Sequence, residues 1–184
     1  PPVDERLPMT PYVIEAPQVG QYGGTWHRGF TGPSDRNGLI RIVNDGLVRF
    51  SIDGANVEMK YAESVTPNDA FTEWTIKVRE GVKFHDGSDL TGQVVKNNID
   101  AWRGAYPTRE PLLFLFVFDN ISGTELVDAS TVKVSMKSPW PSFDAYLFMS
   151  GRAGIMGQAQ LDDTETCDTN LIGTGPFIKT DWKV

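Results

Sequence analysis

The stretch EWTIKVREGVKFHDGSDLTGQVVKNNIDAW, residues 73–102, changes its period midway. Trp74, Ile76 and Val78 alternate with Thr75, Lys77 and Arg79, the period of two that marks a half-buried strand over 73–80. The segment GVKF (81–84) is expected to continue that strand, and HDGSD (85–89) to turn the chain. Thr91 is then placed as an N-cap, and the spacing predicts a helix over 92–103. Val94, Val95, Ile99 and Trp102 share one face of that helix, while Gly92 weakens its first turn. A strand, a tight turn and an amphipathic helix in one run call for a domain that packs helices on a sheet.

Working outward, the same mixture recurs. Residues 1–21 carry prolines at 1, 2, 8, 11 and 17 and read as an extended arm. GGTWHRGF (23–30) reads as a short strand and TGPSDRNG (31–38) as a loop. LIRIVNDGLVRF (39–50) starts with helical spacing at 39, 40, 42 and 43, stops near Gly46 and leads into a strand. Asp53–Gly54 signals a hairpin turn before VEMKYAESVT (57–66), a second extended segment. Pro111 suits a first helical position ahead of the apolar run 112–118. ISGTELVDASTVKVSMKSP (121–139) reads as two strands around a turn at Asp128–Ser130, with Val132, Val134 and Met136 on one face. WPSFDAYLFMS (140–150) suits a short helix, and GTGPFIKTDWKV (173–184) a glycine–proline turn feeding a final strand. No period repeats along the chain, so the class is α/β (mixed α+β).

Composition narrows function. The 184 residues are 40% hydrophobic and 22% charged, enough for a core and unlike a disordered chain. A formal net charge of −7 argues against nucleic acid, which wants a basic footprint. The longest apolar stretch, LLFLFVF (112–118), is too short to span a bilayer. The chain has one cysteine, Cys167, without a basic neighbour to lower its pKa, and two histidines, His27 and His85, so zinc spacing is lacking. The proline-rich start, without Met, reads as that of a processed or trimmed chain.

Three constellations invite a chemical reading. His85–Asp86–Gly87 resembles an oriented base, but no nucleophile motif accompanies it, and the plainer reading is a tight turn that His85 and Asp86 hold. GTGP (173–176) is not a phosphate loop, since its lysine comes only at Lys179; a crossover needing positive φ explains the glycines. Asp162, Asp163, Glu165 and Asp168 form an acidic loop without the glycine hinge of an EF-hand. A carboxylate-based hydrolase stays open only as an alternative. Trp74 and Trp102 belong to core faces, and Trp140, between prolines, packs a turn or faces a ligand. Trp26 and Trp182 are unassigned.

Several segments together resemble the family 5 extracellular solute-binding proteins of ABC importers. The stretch 74–95 resembles the family's strand, its E/D-G-V-K-F-H-D-G turn and its helix with a valine pair. GGTW (23–26), DGLVRF (45–50), YAESVTPND (61–69), DASTVKVSMKSPWPSF (128–143) and GTGPFIKTDW (173–182) resemble further family motifs in the same order. The resemblance covers roughly 21–184, with departures: TGPSDRNG (31–38) stands where the family has L-D-P, Ser64–Val65 replaces Ser-Trp, and Gly92–Gln93–Val94 replaces an acidic helix start.

The resemblance implies the class II periplasmic-binding-protein fold, here part of a first lobe with a mixed sheet and flanking helices. It implies an arm over 1–21, the start of the hinge-bearing lobe over 22–44, a small α/β subdomain over 45–168 and a return strand over 169–184. It also implies capture of an oligopeptide or related small solute between two lobes, and delivery to a membrane permease, with no bond made or broken. An oligosaccharide, a metal complex, or a sensing or docking role on the same fold are the alternatives. The implied contacts are the loop residues Thr31, Gly32, Pro33 and Ser34, with Ser150 and Arg152, the last offering a positive charge to a carboxylate. No cofactor, metal or catalytic residue is expected. The implied partners are the solute and the permease, not nucleic acid, and the implied state is a monomer in the periplasm or anchored at the cell surface.

Overall fold

The structure, a computed structural model, describes residues 42–109, 115–148, 153–166 and 169–180. Its centre is a four-stranded antiparallel sheet. The strands are β3 (Ala62–Pro67), β4 (Glu73–Val78), β5 (Ile121–Asp128) and β6 (Thr131–Met136), in the order β3-β4-β6-β5. The alternation in EWTIKV sets the faces: Trp74 lies opposite Val134 and Ile76 opposite Val132, and these four, with Val78, are buried. The other face is charged. Lys77 pairs with Glu63 at 2.9 Å, and Lys133 reaches Glu125 at 2.8 Å and Glu73 at 3.8 Å. These pairs are solvated and add little stability, but they keep that face from burying itself.

A hairpin of β1 (Val48–Phe50) and β2 (Val57–Met59) forms a separate two-stranded sheet, and Val48 makes a parallel bridge to Phe148. Its turn follows from Asp53–Gly54: Gly54 has φ +73°, and the Asp53 carboxylate accepts from the Ala55 amide at 3.1 Å.

Helix α1 (Gly92–Trp102) covers the core side, against β5 and β6. Thr91 caps it as expected, its hydroxyl accepting from the Val94 amide at 3.3 Å, and Val94, Val95, Ile99 and Trp102 are buried. Gly92 has a packing reason: a Cβ there would sit 3.0 Å from Leu126 and 3.1 Å from the Ala129 carbonyl oxygen, and its own amide donates to that oxygen. Short helices α2 (Leu115–Phe118), α3 (Phe143–Tyr146) and α4 (Gln158–Asp162) complete the described elements.

The strand ends sooner than its sequence suggests. Gly81 adopts φ +77°, so GVKF leaves the sheet after Val78 and forms a loop closed by a bridge between Lys83 and Asp89. Helix α4 occupies a stretch to which the sequence assigns no element apart from Asp162 in the acidic loop, and residues 173–180 form no strand. Trp140 packs in the aromatic row: Phe143 lies 5.3 Å away, Tyr146 5.0 Å and Phe118 6.4 Å. The row continues through Trp102, stacked on Phe118 at 5.3 Å, and ties α1 to α2 and α3.

Asp100 joins α1 to the sheet. Its buried carboxylate accepts from Lys96, Arg103 and the Thr124 hydroxyl of β5, each at 2.7 Å. Burial pushes this carboxyl up, but the bonds from Lys96, Thr124 and Arg103 outweigh it and hold it below the ordinary value. A depressed folded-state pKa stabilises the fold above the unfolded value, near 4, and that stability is lost as pH falls through the folded value. Asp100→Asn is therefore expected to cost about 2 kcal/mol at neutral pH. It should also flatten the fall in urea midpoint below about pH 4. A variant whose urea midpoint follows the parent's at every pH would show that Asp100 is not this anchor.

Candidate functional site

Thr31, Gly32, Pro33, Ser34, Ser150 and Arg152 lie outside the described residues, as do Cys167, Asp168, Trp26 and Trp182. What the structure describes is the framework that flanks the two loops. Three segments meet there: 42–48, which follows the first loop, 153–157, which follows the second, and 171–177.

Residues 155–157 are held one by one to three different partners. Ile155 is bonded to the first segment: its amide donates to the Asp45 carbonyl at 2.9 Å, and its own carbonyl accepts from the Asn44 side chain at 3.2 Å. Met156 pairs with the Asn98 side chain of α1, which donates to its carbonyl and accepts from its amide, both at 2.9 Å. Gly157 donates to the Ile172 carbonyl at 2.8 Å. Asn98 thus imitates a strand neighbour from within a helix, and its second amide hydrogen goes to the Val94 carbonyl. It is fully buried with both ends used.

The third segment lies backbone to backbone on the first. Gly175 donates to the Val43 carbonyl at 2.7 Å, and Phe177 to that of Ile42 at 3.3 Å. A Cβ on Gly173 would come within 2.1 Å of the Val43 oxygen, and one on Gly175 within 2.4 Å of the Ile42 oxygen. Neither glycine is among those with positive φ, so the expected reason for them is corrected: close approach requires them, not a left-handed backbone. Gly157 is confined in the same way, by Ile172 at 2.6 Å.

Two side chains grip the third segment from the other side. Tyr61 donates its hydroxyl to the Thr174 carbonyl at 2.7 Å. Burial, then the nearby Asp45 charge, pushes this phenol above its ordinary value, so it remains a donor at neutral pH. Asp45 is itself bonded to Lys60. His85 contributes its amide to the Gly173 carbonyl at 2.9 Å and its ring Nε2 to the Gly175 carbonyl at 2.8 Å.

This corrects the reading of His85–Asp86. Asp86 does hold the turn, accepting from the Ser88 amide at 3.0 Å and its hydroxyl at 2.6 Å, with Gly87 at φ +85°. His85 faces away from that turn and reaches 90 residues along the chain. Its Nδ1 has no hydrogen-bond partner, so the aspartate does not orient the ring as a base. The acidic loop is also in use: Asp162 accepts from Tyr106 at 2.5 Å, and Asp163 from the amides of Glu165 and Thr166, each at 2.8 Å. Among the described residues no three His, Cys, Asp or Glu side chains gather as metal ligands. What these residues form is a set of backbone-to-backbone and side-chain-to-backbone ties among 42–48, 153–157 and 171–177, a mount in that sense. Asn98 had a legible signal, a polar residue on the apolar face between Val95 and Ile99; the partners of Tyr61 and Asn44 had none, since they lie far along the chain.

Residues 56–184 match the family described as bacterial extracellular solute-binding proteins, family 5 Middle. The chain belongs to this family. It is 35% identical over 133 residues to the glutathione-binding protein GsiB of Shigella boydii serotype 4 (strain Sb227), covering 70% of this chain and 25% of that protein. The binding protein MoaA from A. tumefaciens R10, solved with mannopinic acid, is 31% identical with a TM-score of 0.68, over 80% of this chain and 30% of that one. NikZ from Campylobacter jejuni, solved with Ni(L-His), is 26% identical with a TM-score of 0.67, over 79% of this chain and 29% of that one. The chain spans about a quarter of the length of the curated relatives it matches. The fold it shares is that of class II periplasmic binding proteins, represented here in part. Members of the family are extracellular proteins that bind small solutes or peptides.

The mount makes two substitutions diagnostic. Gly173→Ala places a methyl against an unyielding carbonyl and should destabilise by about 2–3 kcal/mol. Asn98→Ala strands the Met156 amide and carbonyl and should cost about 2 kcal/mol. Urea denaturation of each variant gives the numbers; a Gly173→Ala protein as stable as the parent would refute the close approach.

Proposed function

We propose that this chain is part of the solute-binding component of an ABC importer, and that the solute is a small peptide-like acid. The observation that carries this reading is the family match over 56–184 together with 35% identity to glutathione-binding proteins. Glutathione, mannopinic acid and histidine all present an amine-derived nitrogen and a carboxylate, which supports a receiving cation. Arg152 is the proposed carboxylate partner, with the Thr31 and Ser34 hydroxyls, the backbone at Gly32 and Pro33, and Ser150 around it. Closure of two lobes over the solute would favour the closed state by differential contact, and that state would be presented to the permease. On this reading residues 45–168 are the small subdomain of the first lobe and 169–184 the return into that lobe. The protein would act as a periplasmic or surface-anchored monomer.

A metal–amino-acid complex is the second reading, favoured by the likeness to NikZ. Calorimetry on the protein in which this sequence naturally occurs separates the two, using glutathione, di- and tripeptides, mannopinic acid and nickel–histidine. A peptide-like acid is expected to bind with a dissociation constant near or below about 1 μM. Arg152→Ala should weaken it at least about tenfold. Binding of nickel–histidine alone would favour the second reading, and binding of none of the four would remove both. The 184-residue chain by itself, with only part of the contacts, should show no submicromolar binding.

A further inference from the structure

We propose that His85 is a positioning residue that fixes the course of the chain through Gly173–Gly175, and with it the seam where that segment lies on residues 42–44. Three successive carbonyls, of Gly173, Thr174 and Gly175, accept from the His85 amide, the Tyr61 hydroxyl and the His85 ring. The Gly175 and Phe177 amides of the same segment donate to the Val43 and Ile42 carbonyls. The segment has no side chain at 173 or 175 with which to hold itself, so the His85 and Tyr61 bonds act beside the backbone bonds to 42–43 in fixing its course.

The chemistry fixes the state of the ring. A carbonyl oxygen only accepts, so Nε2 carries the hydrogen. Nδ1 is buried without a partner, so the single bond to Gly175 gives the ring its orientation. The donor must stand at the far end of the side chain. Glutamine can put an amide N–H at about that reach, and asparagine cannot. Asn44 Oδ1, also buried without a partner, only accepts and cannot replace the His85 donor.

The inference deepens the solute-capture reading and takes its functional meaning from it, but its test needs no solute. Amide hydrogen exchange on the protein in which this sequence naturally occurs compares His85→Gln and His85→Asn with the parent. His85→Asn is expected to speed exchange at Gly175 about tenfold while Ile76 and Val134 in the sheet stay unchanged. His85→Gln is expected to stay within about twofold of the parent at all three. Unchanged protection of Gly175 in His85→Asn, failure of glutamine to rescue, or equal acceleration in the sheet would each overturn the proposal. Nitrogen NMR of the ring in the unaltered chain provides a check that survives a variant failing to fold. The Nε2–H tautomer is expected, and an Nδ1–H ring would overturn the assignment. A protein that passes these tests yet binds no peptide-like acid would lose the solute reading and keep the positioning role.

Discussion

The backbone of 173–175 lies directly on the backbone of 42–44, with no side chain between them. Van der Waals contact at this range tolerates hydrogen and nothing larger, so two glycines are compulsory. It also removes both segments' polar groups from water, so their amides and carbonyls need partners in the protein. The surrounding residues answer that need. Val43 and Ile42 supply acceptors, Tyr61 and His85 supply donors, and Asn44 turns its amide to Ile155. The loop that carries His85 is placed by the end of β4, and Tyr61 stands just before β3. The close approach therefore reaches back into the sheet and explains why a turn remote in sequence carries a histidine.

The sheet and α1 were legible because each is written in a local period. Alternation in 73–78 and 131–136 gave the faces, and Thr91 gave the helix start. Loss of the strand after Val78 was not, because apolar Val82 and Phe84 keep the alternation going while Gly81 breaks the backbone with φ +77°. Burial continues there without hydrogen bonding to the sheet, and Phe84 is core from within a loop. Helix α4 was missed for the opposite reason: QAQLD has too few apolar residues to show a period, and it is held by tertiary bonds such as those of Arg109 to the Gln160, Leu161 and Asp163 carbonyls.

The mount was legible only as motif. GTGP and HDG stand out as punctuation, and punctuation is what each contributes, but the sequence did not say that one grips the other. That pairing spans about 90 residues and rests on a histidine nitrogen and a carbonyl, groups without any periodic signature. Asn98 shows the middle case. Its place on an apolar helix face marks it as tertiary, while the choice of Met156 as partner comes from packing alone.

The division of labour has a physical rationale. A binding protein that closes needs surfaces that move as bodies, so loops that touch solute must be rooted in backbone that does not yield. Residues 155–157, each tied to a different element, cannot shift without breaking bonds to Asp45, Asn98 and Ile172 together. The same holds for 173–175, bonded to Val43, Tyr61 and His85. The relatives include a protein named for glutathione and others solved with mannopinic acid and Ni(L-His), so a shared fold does not by itself settle the solute.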